Sequence, residues 1–243
     1  MTAPLHQPQL IAFDLDGTLI DTAADLAAAA NLMLSMLGTR VLPEERIRQF
    51  IGRGIEQLVS ESLSESLGRS PRPPVLLAAT MLFRQLYSQG LFSRSRVYPG
   101  VVDTLRTLAD MGLTLCCLTN KAAHYSLRLL RLAKLDDYLT FTLCAEDSIQ
   151  MKPSPWLLLT ACDRTGVTPD QMLYVGDSPI DVAAARAAGC ASVTVDYGYA
   201  IGTQLLAAAP DQVIGDLREL LMLLPLRRVA PSLAAGTGPE VLH

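Results

Sequence analysis

Short apolar runs alternate along this chain with longer stretches of helical spacing, and that alternation points to a parallel sheet covered by helices. The candidate strands are Leu10–Phe13, Leu113–Leu118, Thr140–Cys144, Met172–Val175 and Ala191–Val195, with a shorter one at Gln212–Ile214. Between them the spacing predicts helices over Val101–Met111, Ala122–Lys134, Pro155–Thr165 and Ile180–Ala188. Gly112 and Gly189 each follow a helical run and precede a strand, where a residue without a Cβ ends a helix at least cost. The fold class is therefore α/β.

One stretch breaks the rhythm. From Thr22 to Arg96 no strand is legible, and the pattern reads as consecutive helices: Ala23–Leu37, Pro43–Ile51, Ile55–Leu67 and Pro74–Gln89. Pro43, Gly68 and the Pro71–Pro74 cluster punctuate it. A helical block inserted after the first strand of an α/β domain suggests a lid or cap. The expected organisation is a core of residues 1–21 and 97–226, a cap of 22–96, and a flexible tail of 227–243, which is small, aperiodic and rich in Pro and Gly.

Half of the 243 residues are apolar and only 5% are aromatic, so Leu, Ala, Val and Ile must build the core. A formal net charge of −4 leaves no basic footprint, which argues against nucleic acid as a partner. Any anionic ligand must be held by local positive groups. The longest apolar stretch, Leu26–Gly38, lies between Asp25 and Arg40 and is too short to cross a bilayer. Met1–Gln9 lacks the charged-then-apolar order of a secretion signal. Cys116, Cys117, Cys144, Cys162 and Cys190 show no metal-type spacing and leave an odd one over, so reduced thiols in the cytoplasm are expected.

Four short segments carry chemistry. Asp14-Leu15-Asp16-Gly17-Thr18 follows the first strand at its C-terminal end, where open α/β sheets place their sites. Gly17 lets the chain turn so that both carboxylates reach one reacting group, although an Asp-Gly pair also suits a plain turn. Thr119-Asn120-Lys121 ends the second strand; Thr119 offers a hydroxyl to an anion or simply caps a helix. Lys152, held by Pro153 and Pro155, aims one positive charge inward or into solvent. Asp177 follows a strand, and Asp181 stands one helical turn later, so both can face one cation, or one can cap while the other is solvated.

In this order, the four segments resemble the DxDGT, T/S, K and GDxxxD motifs of the haloacid dehalogenase-like hydrolase superfamily. The resemblance runs from Leu10 to about Leu223 and includes the cap insertion. It implies a Rossmann-like core with an inserted all-helical cap domain. It further implies that Asp14 is a nucleophile that forms an aspartyl-phosphate, and that Asp16 is the acid and then the base. Thr119 and Lys152 would hold the phosphoryl oxygens. The implied cofactor is Mg²⁺, ligated by Asp14, the Asp16 carbonyl and Asp177, with Asp181 in support. Thr18 and Asn120 are expected at the substrate-binding side as groups that position their neighbours.

Asp16 separates phosphatases from dehalogenases, because an alkoxide leaving group needs an acid and chloride does not. Thr22–Arg96 contains no lysine, which excludes a Schiff-base phosphonate-cleaving relative. In the cap, Gly52-Arg53-Gly54 is similar to the cap loop of bacterial phosphoglycolate phosphatases, with Arg where those often carry Asn. Gly54 allows close approach at a helix start, and Arg53 can pair with a substrate carboxylate. Asp196-Tyr197-Gly198-Tyr199 is similar to another segment of that family. The partner expected is a small phosphorylated metabolite, most simply 2-phosphoglycolate, with no membrane and no preference between monomer and homodimer. Other sugar phosphates, a β-phosphoglucomutase-like phosphomutase and a non-catalytic binding protein are the competing readings.

Overall fold

The computed structural model describes residues 8–200 and 202–224. In chain order the elements begin with β1 (Leu10–Phe13), β2 (Ile20–Asp21), α1 (Ala23–Met36), α2 (Glu44–Arg48), α3 (Ile55–Leu67) and α4 (Pro73–Gly90). There follow β3 (Arg96–Val97), α5 (Val101–Asp110), β4 (Thr114–Thr119), α6 (Ala123–Leu132), β5 (Phe141–Cys144) and α7 (Trp156–Thr165). The chain then forms β6 (Met172–Gly176), α8 (Pro179–Ala188), β7 (Ala191–Val195), α9 (Gly202–Ala208), β8 (Gln212–Ile214) and α10 (Leu220–Leu223).

Six strands make one parallel sheet in the order β5-β4-β1-β6-β7-β8. Its central strands β4, β1 and β6 are largely apolar on both sides because both faces are covered. Ile11, Phe13, Leu115, Cys117, Leu173 and Val175 enter one buried layer. Leu10, Ala12, Cys116, Leu118, Met172 and Tyr174 enter the other, where the small Ala184, Ala185 and Ala188 of α8 let that helix lie close. β1 is the switch point: the chain builds the sheet outward through β4 and β5, then returns to β6 on the other side of β1. A crevice opens at the C-terminal end of such a strand.

Helices α1 to α4 pack on one another between β2 and β3, where the cap is expected. Its first helix carries a buried carboxylate, Asp25, which accepts from the Arg94 N–H (2.8 Å), the Ser95 N–H (3.0 Å) and the Ser95 hydroxyl. Entry and exit of the cap are thus tied together from inside.

Two readings of the cap need correction. Thr22–Arg96 is not strand-free, because Arg96 and Val97 form β3, which pairs antiparallel with β2 (Ile20↔Val97, Asp21↔Arg96). Strands of two residues carry no periodicity to read, and they are exactly the two chains by which the cap hangs from the core. The helix expected over Pro43–Ile51 ends at Arg48, since buried Phe50 turns inward and Gly52 takes φ +106°. Helices α9 and α10 are additional. All five cysteines are free thiols. Among the described residues no helix is long and apolar enough to cross a membrane. The tail expectation for 227–243 lies outside the described residues.

Candidate active site

Asp14 extends the β1 ladder by one residue, its N–H donating to the Val175 carbonyl at 2.9 Å. Its carboxylate therefore emerges between the ends of β4 and β6. The chain then reverses: the N–H groups of Leu19 and Ile20 both reach the Leu15 carbonyl at 3.0 Å, and Gly17 takes φ +86°. A Cβ on Gly17 would stand 2.2 Å from Asp177 Oδ2, so glycine is required by close approach as well as by φ. The turn sends Asp16 to the opposite side of the crevice. There it pairs with Lys121 Nζ (2.9 Å) and accepts from the Thr22 hydroxyl (2.6 Å).

Lys152 is 4% exposed and meets Asp14 Oδ1 at 2.8 Å and Asp181 Oδ1 at 2.7 Å. It also donates to the Tyr174 hydroxyl (2.7 Å). Asp181 serves twice, because its Oδ2 accepts from the Ser178 N–H (3.1 Å) and hydroxyl (2.6 Å) and so caps α8. Asp177 Oδ2 accepts from the Tyr199 N–H at 2.6 Å, which leaves Oδ1 for a ligand.

Carboxylate oxygens of Asp14, Asp177 and Asp181 lie within 4.8 Å of one another. Three buried carboxylates crowd one ammonium, which contacts Asp14 and Asp181, and two of them, Asp14 and Asp177, are shifted by burial and by the charges around them. Burial pushes Asp14 up to about 6, against the pull of Lys152. Burial, followed by the charges of Asp181 and Asp14, pushes Asp177 well above the usual carboxylate range. Burial pulls Lys152 down, but Asp14 and Asp181 outweigh it and hold the ammonium above its ordinary value. A hard divalent cation with oxygen ligands would relieve this crowding, and an all-carboxylate donor set of this spacing fits one. Asp181 is already committed to four donors, so it supports such a site from behind.

The structure brings Asp14, Lys152, Asp177 and Asp181 together and sets Asp16 beside them on Lys121. Thr119 is buried at the crevice, its hydroxyl accepting from the Lys121 N–H at 3.2 Å. Asn120 is occupied with main chain: Oδ1 accepts from Lys152 N–H (2.7 Å), and Nδ2 donates to the carbonyls of Lys152 and Gly52 (3.0 Å each). Thr18 lies behind the site, fully buried, with its hydroxyl unpartnered and its carbonyl accepting from Tyr197 (2.9 Å).

Cap and core enclose two adjoining cavities that share Asp14, Asp16, Ile51 and Gly52. One, of about 290 Å³, is walled by Leu26, Gly54, Ile55, Leu58 and Met151, with Lys121, Arg84 and His124 among its polar groups. The other, of about 480 Å³, holds Lys152, Asp177 and Tyr199 on the core side and Arg46, Arg48 and Arg53 on the cap side. Arg53 is exposed there.

Sequence reasoning missed Lys121, Arg48 and the role of Tyr199. Lys121 is buried with its ammonium 4.9 Å from the Tyr87 ring centroid; burial pulls its pKa down, but Asp16 and Tyr87 hold it above normal. Its signal was its place two residues after Thr119 at a strand end. Arg48 left no local signal, and the family-like segment ending in Tyr199 marked that residue without showing its partners, which are remote in sequence.

The family pattern of haloacid dehalogenase-like hydrolases matches residues 11–195. The chain is 43% identical over 223 residues to a phosphoglycolate phosphatase of Nitrosospira multiformis, covering 90% of this chain and 98% of that one. It is 36% identical over 220 residues to a phosphoglycolate phosphatase of Nitrosococcus oceani, again with 90% and 98% covered. The crystal structure of a predicted phosphoglycolate phosphatase from Haemophilus somnus superposes with a TM-score of 0.84 at 30% identity, over 90% of this chain and 99% of that chain.

Proposed function

We propose, from the premise that this chain belongs to the haloacid dehalogenase-like hydrolase family, that it is a Mg²⁺-dependent phosphatase of small phosphate monoesters, with 2-phosphoglycolate as its substrate. The observation that carries this reading is the placement of Asp14. It is a buried carboxylate at the switch point of the sheet, held by Lys152 and facing a cavity that the cap closes.

Phosphoryl transfer asks for in-line attack and neutralised charge more than for covalent machinery. Lys152 occupies Asp14 Oδ1 and leaves Oδ2 to attack phosphorus. The new P–O bond forms the aspartyl-phosphate as the ester P–O bond breaks. Asp16 gives its proton to the departing alkoxide, then takes one from the water that attacks the same phosphorus and releases Asp14. Thr119 and Lys152 hold phosphoryl oxygens, and Thr22 and Lys121 fix where Asp16 sits. When bound by Asp14, Asp177 and the Asp16 carbonyl with Asp181 behind, Mg²⁺ supplies the positive charge that three carboxylates and a phosphate need.

The cap admits a small metabolite and not a folded phosphoprotein. Substrate choice rests on the phosphoglycolate phosphatases that the chain resembles over 90% of its length and on Arg53, which lines the larger cavity and can take a carboxylate in fork geometry. Five free thiols suit the reducing cytoplasm.

The test is phosphate release from a panel of esters including 2-phosphoglycolate, with Mg²⁺ or with chelator, in wild type and Asp14→Asn. Release that is selective for 2-phosphoglycolate, needs Mg²⁺ and vanishes in the variant is the expected result. Preference for another ester would remove the substrate assignment and keep the mechanism. Silence on every ester would remove both.

A further inference from the structure

Tyr199 has no part in the chemistry above, yet it joins three of its components. The Arg48 guanidinium of the cap lies over its ring, 5.2 Å from the centroid. Its hydroxyl donates to Asp21 Oδ1 (3.1 Å) and accepts from the Thr22 N–H (2.7 Å). Arg48 reaches the other oxygen of the same Asp21 at 3.4 Å. Thr22 in turn donates its hydroxyl to Asp16 Oδ1 at 2.6 Å. Finally, the Tyr199 N–H holds Asp177, and Gly198 before it packs so tightly that a Cβ there would lie 2.2 Å from Asp177 Cβ.

Asp21 and Thr22 are the residues where the chain passes from core to cap. Thr22 is fully buried, so its N–H has no water to fall back on if the phenol oxygen is removed. A shift of Thr22 carries its hydroxyl with it, and Asp16 loses one of the two groups that aim it. Small misplacements of a proton donor cost rate steeply.

We propose that Tyr199 is a positioning residue for leaving-group protonation: through Thr22 it fixes Asp16, and through its ring and Asp21 it does so in register with Arg48 of the cap. The proposal rests on the phosphatase reading. It predicts a defect that depends on the leaving group, which a merely structural role would not produce. An alkyl phosphate needs Asp16 to protonate its alkoxide, whereas acetyl phosphate, of similar size, releases acetate without an acid.

The experiment compares kcat/KM of wild type and Tyr199→Phe on the best alkyl ester of the panel and on acetyl phosphate. Tyr199→Phe keeps the ring beneath Arg48 and the N–H on Asp177. The expected loss is about tenfold to a hundredfold on the alkyl ester and less than about twofold on acetyl phosphate. Thr22→Val should reproduce that pattern, and the double variant should be no worse than the poorer single one. Equal losses on both esters, no loss on either, or additive effects of the two substitutions would overturn the role of Tyr199 alone. A wild type inactive on both esters would overturn the phosphatase reading, and this proposal with it.

Discussion

At the scale of single residues, Lys152 decides whether the site can exist. Among the described residues it is the one ammonium in contact with both Asp14 and Asp181, and all three are buried. Removing one partner of such a set leaves uncompensated charge in the interior. Lys152→Met should therefore abolish phosphate release and lower stability by about 3–5 kcal/mol, read from urea unfolding in the absence of metal. A stable but inactive variant would show that its neighbours simply protonate at little cost. The carboxylates make a second prediction. Burial pushes the Asp14 carboxyl up from its ordinary 3.8 to about 6, and Asp177 is shifted in the same direction. The folded chain thus holds protons that the unfolded chain has lost, so metal-free stability falls as pH rises from about 4 through 6 and beyond. Mg²⁺ should raise the melting temperature strongly at pH 7.5 and weakly at pH 5. A metal-induced shift that is flat across that range would contradict the assignment of these carboxylates to a cation.

At the scale of elements, legibility followed burial. β1 and β6 were readable because both of their faces are covered and their apolar runs are unbroken, and β4 and β7 because they are almost wholly buried and their few polar residues are Thr and Ser. β2 and β3 were unreadable because two residues have no period, although they connect cap to core. The end of α2 was misplaced because helical spacing continues to Ile51, while the turn at Gly52 stops the helix early. The segment after β7 is an irregular element with a strict steric demand: Gly198 packs against Asp177. Gly198→Ala should displace Asp177 and weaken Mg²⁺ binding at least about tenfold, measured by titration calorimetry on the folded variant. Unchanged Mg²⁺ affinity would mean that Asp177 is not a ligand.

At the scale of the whole molecule, the proposed function depends on how the block α1 to α4 sits over the sheet. Asn120 spans that junction, linking the Gly52 carbonyl of the cap to both main-chain groups of Lys152. Tyr125 and Arg128 of α6 add contacts to the carbonyls of Arg84 and Ser88 in α4. Asn120→Ala should lower kcat/KM by about tenfold to a hundredfold through a rise in KM as well as a fall in kcat, because it loosens the cap and the lysine loop together. A fall in kcat alone would confine Asn120 to the core. The sequence by itself determined the α/β class and the run of helices between the first two motifs, since both are written in local period, and it singled out Asp14, Asp16, Lys152, Asp177 and Asp181 through their resemblance to the motifs of the haloacid dehalogenase-like family. Only the tertiary structure decided that Thr18 turns inward, that Asn120 braces main chain, and that Lys121 and Tyr199 serve Asp16 from positions 105 and, through Thr22, 177 residues apart. Such pairings are set by how the layers pack around β1, and no periodicity along the chain records them.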